Sequence, residues 1–110
     1  MNKLVLIAAL VLVSTGAWGD WAVKGEGNYS CADYLSAKRS NDKKLYSSIS
    51  WVQGFITGVN YQRALAEGTD SFVGQDLRAT SIVQWLGIHC QDNLTDDLAD
   101  AAKALVEEFG

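Results

Sequence analysis

"DKKLYSSISWVQGFITGVNYQRALA", residues 42–66, decides the fold. Leu45, Ile49, Val52, Ile56 and Val59 recur at steps of three and four, the spacing of one face of an α-helix. Trp51, Phe55 and Gly58 add a second stripe beside them, so this helix is apolar over a wide arc and belongs at the centre of a bundle. Gly54 and Gly58 work against the helix, each by about 1 kcal/mol relative to alanine. They share one face, where missing side chains admit either another backbone or a ligand. A close crossing by a later helix is expected, with Trp85 as its knob and Gly87 as its gap. Leucine at Gly58 would then overpack, costing about 1–3 kcal/mol. A small-ligand cleft over Gly54 and Gly58 is the alternative.

Working outward, helical spacing recurs on both sides and no stretch alternates apolar and polar residues as a strand does. The chain therefore reads as all-α, a small four-helix domain of orthogonal or bundle-like packing over residues 20–110. Its helices are expected at about 30–39, 42–66, 76–91 and 95–109. Ser30 caps the first, which carries "CADYLSAKR" with Cys31 on its buried edge. Asp76 is the expected cap of the third, whose Ala79, Ile82, Val83, Leu86 and Cys90 keep the helical spacing. In the fourth, Leu98, Ala101, Ala102, Leu105 and Phe109 point inward, while Asp96 and Asp97 suit the positive end of the helix dipole. The one long loop, "EGTDSFVGQD", holds Phe72 and Val73, expected to tuck under it, with exposure for binding as the alternative.

The first residues, "MNKLVLIAALVLVSTGAWGD", combine one lysine, an apolar run from Leu4 to Val13 and small residues before Asp20. They read as a signal peptide, 1–19, removed on export to a bacterial periplasm or beyond. The mature chain is then expected to be soluble, with no membrane contact. Cys31 and Cys90 both lie in the exported part, where an oxidising compartment makes a disulfide between them the expected state. Closing a loop of about 60 residues stabilises a small domain by about 4 kcal/mol in the chain-entropy model.

Composition removes several function classes. At 48% hydrophobic and 20% charged the chain is an ordinary globular domain rather than a disordered one. A net charge of −4, which falls further when Lys3 is removed, disfavours nucleic acid, because binding it needs a clustered basic face. One histidine and two distant cysteines do not form a zinc ligand set, so neither metal nor other cofactor is expected. His89 and Cys90 are adjacent in a helix and point about 100° apart, so they do not act as base and nucleophile. No catalytic residues are assigned, and a non-enzymatic protein is expected.

"CADYL", "WVQGFITGVN", "IVQWLGIHCQDN" and "LADAAKALVEEF" follow one another in an exported chain of this size. The pattern resembles the HdeA/HdeB family of periplasmic acid-stress chaperones and their small secreted relatives. The resemblance implies a helical fold stapled by Cys31 and Cys90, a homodimer that acid loosens, and unfolding client proteins as partners. The matching apolar surface here is Val52, Phe55, Ile56 and Val59. In architecture the chain is also similar to small periplasmic immunity proteins that neutralise cell-wall amidases delivered by type VI secretion. That likeness implies one cognate toxin as partner, met by Phe72, Val73 and neighbouring acids.

Overall fold

A computed structural model describes residues 21–68 and 72–110. The signal peptide expected at 1–19 lies outside them. A 3-10 turn, Gly25–Asn28, precedes four helices: α1, Cys31–Ser40; α2, Lys43–Glu67; α3, Ala79–Asp92; and α4, Leu98–Phe109. The domain is all-α, and its only extended pairing among the described residues is an isolated antiparallel bridge between Ser30 and Asp97.

Local chemistry explains the helix ends. Ser30 Oγ accepts from Asp33 N at 3.0 Å, so the expected cap of α1 is formed. Asn41 then adopts a left-handed conformation, φ 51°, and Asp42 caps α2 through Lys44 N. Gly68, φ 62°, closes α2 in the same left-handed region, which glycine enters without steric cost. α3 begins three residues later than expected. Asp76 belongs to a turn closed by Leu77 N to Gly74 O at 2.9 Å, and Arg78, without a side-chain cap bond, precedes the helix instead. α4 also starts later than expected, at Leu98, because the residues before it pair with the start of α1. Asp97 and Asp100 form a reciprocal capping box, satisfying two N–H groups at once.

Tyr34, Val52, Ile82, Leu86, Leu98 and Leu105 are fully buried and draw one residue or more from every helix into a single core. The expected α2 stripe holds, with Leu45, Ile49, Val52 and Ile56 buried and Val59 partly so. In α4 Leu98, Ala101, Ala102 and Leu105 are buried, but Phe109 is half exposed. Tyr34 donates to Val83 O at 3.0 Å, and burial pushes its hydroxyl well above the ordinary phenol range, keeping it a neutral donor. Cys31 and Cys90 form the expected disulfide, joining the first residue of α1 to the last turn of α3.

The close crossing expected at Gly54 and Gly58 is not formed. Among the described residues, a Cβ built on either glycine meets no atom within 4 Å. Gly87 packs instead on the aliphatic part of Lys38, and Trp85 turns toward α4, where its indole N–H donates to Glu108. The α2 core stripe alone satisfies the bundle, so the glycine face is left outside it.

Candidate protein-binding face

Solvent meets α2 directly opposite its buried stripe. Ser47, Ser50, Gly54, Gly58, Tyr61 and Leu65 follow one another there at steps of three and four. Tyr61 and Leu65 are about two-thirds exposed (66% and 64%), and the two glycines leave the backbone between them bare. From Leu45 to Gln62 the helix carries no charged residue. At 1.5 Å per residue that run is about 25 Å long. Exposed helix faces in soluble proteins are ordinarily charged, so an uncharged track with no covering element among the described residues is a feature to explain.

An aromatic ridge borders the track on one side. Trp51 and Phe55 stack at 5.7 Å with planes 10° apart, and Trp21 leans on Phe55 at 5.7 Å. The segment before α1 holds this ridge in place. Trp51 Nε1 donates to Lys24 O at 2.7 Å, and Lys44 pairs with Glu26 at 3.4 Å. Gly27 lies so close to the Trp51 ring and Val23 that a Cβ would collide with both. The 3-10 turn was not read from the sequence, since "GEGN" carries no periodic apolar signal.

A groove of about 350 Å³ borders the track on the other side, with Gln53, Thr57, Asn60 and Gln75 on its rim and Ile56, Phe72, Leu77 and Ile82 as its apolar lining. The Asn60 amide clamps the loop that closes it, accepting from Val73 N at 2.8 Å and donating to Val73 O at 3.2 Å. Phe72 and Val73 therefore part company. Val73 is tucked into the core at 1% exposure, as expected, while Phe72 stays 40% exposed at the groove.

The candidate binding residues divide by burial. Val52, Ile56 and Val73 are core, whereas Phe55, Val59 and Phe72 keep part of their surface at the ridge and groove. Trp85 and Gly87 lie elsewhere, on α3. The cleft expected as an alternative over Gly54 and Gly58 is an open track rather than a cavity, and the groove beside it is lined by Gln53, Thr57 and Asn60 instead.

His89 lies in the last turn of α3. Its Nε2 lies 3.0 Å from Asp96 Oδ2, and its ring stacks on Trp85 at 5.1 Å. The sequence carried a faint signal of this, a histidine in a last helical turn followed seven residues later by an acid. Among the described residues no group of three or more histidine, cysteine or acidic side chains is arranged to hold a metal ion.

Fold and face together define an all-α four-helix domain, joined by one disulfide, in which no described residue covers one charge-free helix face. Comparison with known proteins adds no relative: no family model, no curated protein and no solved structure matches the chain.

Proposed function

We propose that this chain is a non-enzymatic protein-binding domain of an oxidising, extracytoplasmic compartment, and that another protein docks on the outward face of α2. The single observation that supports this is the uncovered, uncharged track of Gly54, Gly58, Tyr61 and Leu65 between an aromatic ridge and the Phe72 groove. A bare backbone lets an apolar segment approach closely, and flanking aromatic rings supply the area that dominates such interfaces. The two buried cysteines, paired in a bond, fit the compartment.

Within that class the resemblance to HdeA/HdeB proteins favours an acid-activated holdase, a homodimer at neutral pH that releases apolar surface to unfolding clients. Val52, Ile56 and Val73 would join Phe55, Val59 and Phe72 as client surface once the core loosens. The test follows oligomeric mass, binding of a hydrophobic dye and suppression of client aggregation from pH 7 to 2. Reversible opening with client protection near pH 3 is expected, and a compact, dye-silent protein throughout overturns the holdase reading. The competing reading, an immunity protein for one periplasmic toxin, is favoured by the acidic C-terminal third and predicts stoichiometric binding at neutral pH instead.

A further inference from the structure

Side chains on the α2 track are graded in size along the helix. Ser47 and Ser50 open it, Gly54 and Gly58 hold its middle, and Tyr61 and Leu65, both about two-thirds exposed, close it. The midpoint of α2, Lys43–Glu67, falls between the two glycines.

Turned end for end about that point, the track fits itself. Gly54 of one copy then faces Gly58 of the other, Ser50 faces Tyr61 and Ser47 faces Leu65, because the members of each pair lie equally far from the centre to within a residue. Every large side chain meets a small one, and the two backbones approach where neither helix has a side chain. Two copies running the same way set Tyr61 on Tyr61 and Leu65 on Leu65, and leave serine facing serine at the other end. An unrelated partner has to supply the reversed gradient, whereas a second copy already has it.

Charge points the same way. Lys43 continues the track by one step of four, at the positive end of its own helix dipole, and Glu67 stands at the negative end. Both go against the usual preference, since α2 has no acid in its first turn and no base in its last. In the reversed pair Lys43 lies level with the end of the other copy's α2, where free carbonyls and Glu67 carry the opposite sign.

We infer that the partner of the α2 face is a second copy of this chain, packed antiparallel on α2 about a two-fold axis that passes between Gly54 and Gly58. The inference rests on the reading of that face as a protein-docking surface, and adds the occupant, its direction and its register. α2 has 25 residues, about 37 Å of helix. A footprint of that length and about 10 Å wide is under half of the about 800 Å² that each partner buries in a stable interface, so the borders of the track must join it. The axis that reverses α2 keeps its two sides apart. The Trp21, Trp51 and Phe55 ridges of both copies therefore come together along one edge, and the two Phe72 grooves along the other.

The experiment measures the mass of the exported chain by sedimentation equilibrium at neutral pH over a concentration series. A dimer with a Kd of about 10 μM or tighter is expected. Gly58→Leu puts a side chain where the single copy has open space among the described residues, and is expected to weaken the dimer by about tenfold or more with the unfolding midpoint held or raised. Ser50→Tyr sets tyrosine on tyrosine, and Tyr61→Ser leaves serine on serine. Both positions are exposed, and each change alone is expected to weaken the dimer by about tenfold. The double variant Ser50→Tyr with Tyr61→Ser should recover the affinity, because large again faces small. A monomer at every concentration, a dimer indifferent to Gly58→Leu, or a double variant no tighter than the single ones overturns the proposal. The two readings fail separately. If the chain stays monomeric while Gly58→Leu abolishes its binding of clients or of a toxin, the docking face stands and the second copy falls; if Gly58→Leu changes neither mass nor partner binding, both fall.

Discussion

Ser30 and Asp97 lie antiparallel to one another, and each is the N-cap of a different helix. Cys31 N donates to Asp96 O and Leu98 N to Tyr29 O, both at 2.8 Å, so the first turns of α1 and α4 are tied side by side. The disulfide at Cys31 and the His89–Asp96 pair lie within one residue of that bridge. One corner of the domain therefore fixes three helix ends.

Asp97 caps α4 at that corner and makes it sensitive to pH. Removing its cap in Asp97→Ala is expected to cost about 1 kcal/mol, read from denaturant unfolding. Burial raises its carboxyl above the ordinary carboxylate range; the Asp100 backbone bond opposes this, and the Asp100 and Asp96 charges add to it. A folded-state value above the unfolded one gives stability that is present at low pH and lost as pH rises through the raised value. Wild type should thus gain on Asp97→Asn as pH is lowered from neutrality, and a constant gap between the two would contradict the shift.

Gly58→Ala should stabilise the free protein by about 1 kcal/mol, since the new methyl meets nothing and the helix regains propensity. The same change should weaken whatever docks on α2. Had α3 crossed here, as the sequence suggested, the midpoint of unfolding would fall instead.

Asn60→Ala removes both hydrogen bonds that clamp Val73. Leaving the buried Val73 amide without a partner is expected to cost about 1–3 kcal/mol. Hydrogen exchange should show the Val73 amide, and little of α1 or α4, losing protection.

Replacing Cys31 and Cys90 together by alanine should cost about 4 kcal/mol by the chain-entropy estimate. Thermal unfolding of the variant against the oxidised wild type measures it. Thiol titration of native protein should find no free cysteine.

Helix stripes were legible in the sequence because each inward face repeats at the helical period over several turns. Leu45 to Ile56 and Leu98 to Leu105 are buried as their spacing requires. The pairing of Cys31 with Cys90 followed from there being only two cysteines. Helix starts were less legible: Asp76 looks like a cap, but the local Gly74–Leu77 turn takes it out of α3, and the long-range Ser30–Asp97 bridge moves the start of α4 from 95 to Leu98. The fate of the glycines was not legible at all. A helix face without side chains reads identically whether a neighbour covers it or nothing does, and spacing carries no information on which. Trp51 likewise signalled an apolar stripe, but its cover comes from a short, aperiodic segment at Lys24–Gly27.

The Tyr29–Leu98 and Cys31–Asp96 bonds also impose an order of assembly. The start of α1 is sealed by residues that come almost seventy positions later, so no partial chain emerging from a ribosome or a translocation pore can finish this core. Both sulfurs are shut from solvent in the finished domain. An oxidase must therefore reach them before α4 settles, and afterwards a reductant must wait for the corner to open. The lifetime of the bond then depends on how often the protein breathes there as well as on how much reductant surrounds it.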